Sequence, residues 1–171
     1  MTNTSFSRDI PLRHQVDVFV AGGGPAGVAA AVTSARQGKR VFLAEGQACF
    51  GGMGTSALVP AFMRFTDGVN FLAAGIGAEI YTRLKNRRAL LHDEPSAWVS
   101  INAEDLKRVY DDLVVEAGVE FTFHTQVIAV EAAEGRIRHV ICAAKSGLFA
   151  VHAEISIDAT ADRDISAGAG E

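Results

Sequence analysis

Three features of the sequence predict an α/β fold, with helices flanking a parallel sheet and a three-stranded antiparallel β-meander inserted in it. An apolar run from Val16 to Val20 stops at Ala21-Gly22-Gly23-Gly24 and passes directly into an Ala-rich segment, Pro25 to about Gln37, as a buried strand passes into a helix. A second short apolar run, Arg40 to Ala44, follows and ends in Glu45. Beyond Gly118 the pattern changes to short runs rich in β-branched residues, punctuated by Glu134-Gly135 and Ser146-Gly147.

At 171 residues, 49% hydrophobic and 21% charged, the chain has the composition of one domain with a sizeable core. A net charge of −4 supplies no basic field for nucleic acid or anionic lipid, and basic residues cluster only at Lys85, Arg87 and Arg88. Residues 1–14 are polar and read as a loose leader, with the domain over 15–171. The longest apolar stretches fall short of the roughly 20 residues needed to cross a bilayer, so a cytoplasmic protein without a membrane span is expected. Cys49 and Cys142 form no C-x-x-C, which leaves neither a zinc ribbon nor a disulfide framework, and both are expected to be buried thiols.

The strand-to-helix turn carries the chemistry. Gly22-x-Gly24-x-x-Gly27 has the spacing of a dinucleotide-binding loop. The first glycine permits the tight turn, the second lets backbone approach a pyrophosphate, and the third lets helix pack on strand. Pro25 suits the first helical turn, where its missing N–H costs nothing. Glu45, eighteen residues beyond Gly27, stands where an acid accepts hydrogen bonds from ribose hydroxyls and repels a 2′-phosphate. The competing reading is a strand-turn-helix-strand unit with a surface glutamate and no ligand. A second glycine-rich loop follows, with Gly51, Gly52 and Gly54 around Met53 and with Thr55 and Ser56 behind them. Such a loop lets backbone N–H groups approach a flat or anionic ligand; chance clustering of turn glycines is the alternative.

Further along, Met63, Arg64, Phe65, Thr66 and Asp67 line a substrate space or belong to the core, so residues 57–100 read as a partial substrate-facing insertion. Val69 to about Leu91 has Ile76, Ile80 and Leu84 at helical spacing, and His92 to Ser100 reads as a loop holding the only Trp. Asn102 is an N-cap, with Asp105 answering it as in a capping box. The next helix places Leu106, Val109, Tyr110, Leu113, Val114 and Ala117 on one face and ends at Gly118. Strands are expected at Val119–Phe123, Gln126–Ala132, Arg136–Ala143, Leu148–His152 and Glu154–Ile157. The last one ends in Asp158-Ala159-Thr160-Ala161-Asp162-Arg163-Asp164, a turn at the carboxyl end of a parallel strand, where open α/β sheets bind ligands. These acids lack converging ligands, so no metal site is expected. The five histidines show neither ligand nor catalytic spacing.

Taken together, GGGPAG, Glu45 and CFGGMGTS resemble the amino-terminal part of an FAD-dependent oxidoreductase of the glutathione-reductase-like superfamily. The resemblance implies a Rossmann-like FAD domain and places Gly51, Gly52, Met53, Gly54 and Thr55 along the cofactor near its pyrophosphate and flavin end. It also implies that backbone groups of Val127 meet the adenine edge, and that Thr160, Ala161 and Asp162 stand where relatives have Ala-Thr-Gly and an acid. Ala161 replaces that glycine, a change that matters only where positive φ is needed. The disulfide reductases of the superfamily carry a redox Cys pair after the double glycine; here Met53-Gly54-Thr55 follows, so dithiol chemistry is not expected. The resembling family continues beyond this pattern, which implies either a fragment or a second chain that supplies the rest, with self-association through the uncovered surface. On this reading the protein is a flavoenzyme acting on a small-molecule substrate by hydride chemistry, with Gly22, Gly24 and Ala26 cradling the pyrophosphate. The alternative is an incomplete dinucleotide-binding module that holds FAD or NAD without turnover. No catalytic acid or base is legible.

Overall fold

The computed structural model describes residues 4–5, 7–87, 90 and 98–170. Its elements are β1 (Leu12–Ala21), α1 (Pro25–Arg36), β2 (Val41–Ala44), β3 (Ala61–Met63), α2 (Gly75–Asn86), β4 (Trp98–Ser100), α3 (Ala103–Glu116), β5 (Glu120–Thr122), β6 (Thr125–Ala133), β7 (Arg136–Ala144), β8 (Gly147–Asp158) and α4 (Asp164–Ala169). Six strands form one sheet in the order β5-β2-β1-β8-β7-β6, with β3 and β4 paired separately. The pairs β5–β2, β2–β1 and β1–β8 are parallel, whereas β8–β7 and β7–β6 are antiparallel. The mostly parallel sheet with helices and a meander is therefore present.

Side-chain alternation along β1 divides the core. Val18 and Val20 join Val28, Ala31 and Val32 of α1 and Leu106, Val109, Tyr110 and Leu113 of α3 in one cluster. Phe19 and Ala21 point the opposite way, into a second cluster with Phe42, Val140, Cys142, Phe149 and Ile165. Burial there pushes the Cys142 thiol up to about 12, which makes it inert.

Five expectations need correction. The strand expected at Leu148–His152 and the one at Glu154–Ile157 are a single strand, β8, which pairs with β7 at its start and with β1 along its length. Between Leu148 and Asp158 there is no Gly, Pro or Asn to break it. β1 begins at Leu12, so residues 12–14 of the expected leader are strand; its backbone extends alongside β8 through the pairs Leu12–Ala150 and His14–Val151. α2 begins at Gly75 rather than Val69, because the Asp67 carboxylate accepts the N–H groups of Val69 (2.8 Å) and Asn70 (2.6 Å), a side-chain turn that competes with helix. Asn102 caps α3 as expected through Glu104 N–H and Asp105 N–H, but the Asp105 carboxylate lies 3.9 Å from Arg108, and no capping-box bond from it is seen. Of the expected loop 92–100, residues 92–97 lie outside the described residues, and 98–100 form β4.

An ion network ties the helices together. Arg36 of α1 donates two bonds to Glu79 of α2 (2.7 and 3.0 Å), and Arg83 bridges Glu79 (2.7 Å) to Glu116 of α3 (2.5 Å). The bonds from Arg36 above all hold the Glu79 carboxyl at about 2, against the opposing effect of burial. Because the folded value is depressed, the contribution of Glu79 is complete above the unfolded range near 4.5 and disappears as pH falls through about 2. Partly exposed pairs contribute about 1 kcal/mol. Glu79→Gln is expected to lower Tm by about 3 °C at neutral pH in a thermal melt, with the difference from wild type closing only in strong acid.

Candidate functional site

The carboxyl ends of β1, β2 and β8 converge on the turn that enters α1. Gly22 has φ +91°, and a Cβ there would lie 2.5 Å from Ala159 O. A Cβ on Gly27 would lie 1.7 Å from Gly22 O, so α1 can reach the turn only because that atom is absent. Gly24 is different: its backbone is extended (φ −65°, ψ −178°) and a Cβ would meet nothing within 4 Å. The turn therefore leaves open room beside Gly24. No side chain caps α1 and no acid lies in its first turn, so its leading N–H groups are left to a ligand, as anion-binding helix ends are.

Glu45 closes one side. It is only 7% exposed, and its carboxylate accepts Gly23 N–H at Oε2 (2.5 Å) and Gln47 N–H at Oε1 (2.6 Å). Each oxygen keeps a further lone pair for a hydroxyl donor. Gly23 was missed by the spacing argument, which assigns roles only to the outer glycines. A Cβ on it would sit 2.6 Å from Phe50 Cδ1 and 3.0 Å from Glu45 Oε2. The run of three consecutive glycines, with Gly23 in its middle, was the available signal.

A cavity of about 830 Å³ joins these parts. Gly22, Gly24, Pro25, Ala26, Glu45, Gly52, Met53, Val127, Thr160, Ala161 and Asp162 line it, together with Gln47, Thr125 and Gln126, which sequence reasoning did not single out. Gly27, Gly51, Gly54 and Thr55 do not. Gly27 is taken up by helix packing, and a Cβ on Gly51 (φ +104°) would meet Thr55 and Tyr110. Gly54 is held against Leu106, and the Thr55 hydroxyl donates to Phe50 O at 2.7 Å. The second glycine loop folds as a single 3₁₀ turn, Gly52–Gly54, so only Gly52 and Met53 of its five expected residues face outward. Ala161 does not adopt positive φ; the left-handed residue of that turn is Arg163 (φ +61°), so alanine serves in place of glycine. Neither Phe65 nor Thr66 lines the cavity: both are buried, Phe65 beside Tyr81 and Val99. Met63 is exposed and Asp67 is occupied by its own turn.

Cys49 is half-buried with its Sγ 3.4 Å from Ser56 Oγ and has no partner sulfur, since both cysteines are free. Among the described residues no group of three or more His, Cys, Asp or Glu could hold a metal ion, and no helix is long and apolar enough to cross a membrane. A second hollow, of about 910 Å³, lies between the β6–β7 turn and α4. Its lining mixes Arg136 and Arg138 with Glu134 and Glu154 around the Gly135 turn, and the N–H groups that Ile165 and Ser166 of α4 bring to it are already donated to the Asp158 carboxylate. The glycine cleft is the functional candidate because its polar groups converge.

Fold and cleft together define a dinucleotide-binding α/β protein. Residues 17–171 match the family described as FAD dependent oxidoreductase, and the chain belongs to that family, whose cofactor is FAD. Among solved structures it resembles a geranylgeranyl bacteriochlorophyll reductase-like protein of Thermoplasma acidophilum (15% identity, TM-score 0.61, 85% of this chain and 39% of that one). It also resembles the myxobacterial chondrochloren halogenase CndH, described as a variant of FAD-dependent halogenases (22% identity, TM-score 0.60, 86% and 38%). A third is THI4 of Thermovibrio ammonificans (18% identity, TM-score 0.58, 85% and 57%). At these identities the likeness shows the fold, and the chain spans between 38% and 57% of the three proteins. No curated protein matches it.

The contact at Gly27 yields a direct test. Gly27→Ala places a methyl on Gly22 O, and by analogy with overpacked cores it is expected to cost about 3 kcal/mol or more. A denaturant melt should show the loss; a stability within about 0.5 kcal/mol of wild type would contradict the packing.

Proposed function

We propose that the chain is the cofactor-holding part of an FAD-dependent oxidoreductase acting on a small-molecule substrate. The observation that carries this reading is the convergence of an uncapped helix end, an open Gly24 and buried Glu45 on one cavity. The backbone N–H groups of Gly24 and Ala26, on either side of Pro25, hold the pyrophosphate. Glu45, oriented by Gly23 and Gln47, accepts the ribose hydroxyls. Val127 offers its backbone to adenine, while Gly52, Met53 and the turn at Thr160–Asp162 lie along the remainder of the cofactor. When bound, FAD supplies hydride transfer at the flavin N5. The protein's part is orientation and exclusion of water.

A second reading is a module that holds the dinucleotide, FAD or NAD, without turning over substrate. One observation favours it: among the described residues the titratable side chains lining the cleft are three carboxyl groups, Glu45, Asp162 and Asp164, with no His, Cys, Lys or Tyr beside them.

Titration of the purified chain with FAD, followed by flavin fluorescence, tests the first reading. Saturable binding is expected, weakened about tenfold or more by Gly24→Ala, because a methyl would occupy the room for the pyrophosphate. The same variant should melt within about 2 °C of wild type, since that methyl touches no protein atom. Glu45→Gln should weaken FAD less than Gly24→Ala. Preference for NAD over FAD, or affinity indifferent to Gly24, would contradict the assignment. Reduction of bound flavin by a donor, with release of an oxidised product, would separate enzyme from module.

A further inference from the structure

We propose that Asp158 is the positioning residue of the cofactor cleft: its carboxylate clasps the turn Ala159–Asp164 into the wall that FAD requires, without itself facing the cofactor. The proposal rests on the FAD reading of the cleft. Asp158 ends β8 opposite Ala21 of β1, and Ala159 N–H continues the ladder to Ala21 O at 2.9 Å. From there the chain must leave the sheet and reverse into α4. The Asp158 carboxylate accepts five hydrogen bonds across that reversal. Oδ1 takes Thr160 N–H (3.2 Å) and the Thr160 hydroxyl (2.7 Å). Oδ2 takes Ile165 N–H (3.1 Å), Ser166 N–H (2.9 Å) and the Ser166 hydroxyl (2.9 Å). Thr160 Oγ1 in turn accepts Asp164 N–H at 2.9 Å.

One carboxylate thus ties both ends of the turn, and bonds to an ionised acceptor are the strong kind. Although partial burial acts in the opposite direction, the donors from Ser166 and Thr160 hold the Asp158 carboxyl below the usual aspartate range, so it is ionised at neutral pH. The residues between the tied ends are those that line the cleft: Ala159, Thr160, Ala161, Asp162 and Asp164. Asp158 itself borders the hollow on the other side of the turn. The same turn supplies Ala159 O, against which Gly22 packs, so a loosened turn would also release the first glycine of the pyrophosphate loop. A carboxylate with five donors inside the protein is already fully engaged, which assigns it to holding the wall rather than to contacting a ligand.

The test compares full-length wild type with Asp158→Ala, Asp158→Asn and Ser166→Ala, using amide hydrogen exchange on the cofactor-free protein and FAD titration. Glu154→Gln, on the same strand and away from the clasp, is the control. Asp158→Ala is expected to speed exchange at Thr160, Ile165 and Ser166 by about tenfold or more while β1 and β2 amides are unchanged, and to raise the FAD dissociation constant by about tenfold. Asp158→Asn, which keeps an acceptor for α4 but turns its NH2 toward the Thr160 N–H, should restore slow exchange at Ile165 and Ser166 and leave Thr160 fast. Unchanged exchange in Asp158→Ala would overturn the proposal. So would faster exchange with FAD affinity within about twofold of wild type. If Asp158→Ala does not fold, Ser166→Ala, which removes one donor outside the cleft, must shift both readouts in the same direction, and no shift overturns the proposal. Failure of wild type to bind FAD would instead defeat the functional reading, and the exchange measurements alone would then decide whether the clasp exists.

Discussion

Everything in this cleft depends on how closely α1 approaches the end of β1. With a Cβ on Gly27 only 1.7 Å from Gly22 O, the helix and the turn are in contact at the limit that backbone atoms allow. That contact places the uncapped start of α1 over the carboxyl edge of the sheet. It also brings Gly23 within 2.5 Å of the Glu45 carboxylate, so that one glycine run sets both the phosphate-facing backbone and the orientation of the acid. The interaction is steric before it is electrostatic: an anion-binding helix end is useful only where the chain leaves room beside it, and Gly24 supplies that room.

The remaining walls are built from parts that lie far apart in the chain. β8 runs beside β1 and delivers the Ala159–Asp164 turn to the same edge, where Asp158 fastens it. From the other side, Gly52 and Met53 come forward on a one-turn helix that Gly54 and the flanking Gly51 and Thr55 hold against Leu106, Tyr110 and Phe50. The helices behind the cleft are braced by the chain of Arg36, Glu79, Arg83 and Glu116, and the opposite face is filled by Phe19, Phe42 and Phe149. Rigid elements thus carry the short loops that would meet a cofactor, an arrangement that favours precise binding.

How much of this was legible in the sequence follows from the range of each interaction. The β1–α1–β2 unit, Glu45 and α3 with its Asn102 cap were readable because period, spacing and capping act over a few residues. The continuity of β8 was harder: a change of partner from β7 to β1 leaves no mark on a strand whose period is unchanged. That Gly51, Gly54 and Thr55 do not line the cleft was not legible, because a glycine-rich loop has no period from which to read which way each residue faces. Asp158 looked like one of three neighbouring acids, and its partners at Ile165 and Ser166 become visible only once the chain has turned back. Gly23 was passed over because the spacing rule names only its neighbours.

The most direct test of the central claim is a crystal structure of the chain grown with FAD. The account predicts the pyrophosphate against the backbone of Gly24–Ala26 and the adenosine ribose on Glu45, with the wall at Thr160–Asp162 unchanged in shape. Cofactor seated instead in the hollow beside Arg136 and Arg138, or an adenosine ribose that leaves Glu45 bonded only to Gly23 and Gln47, would contradict it.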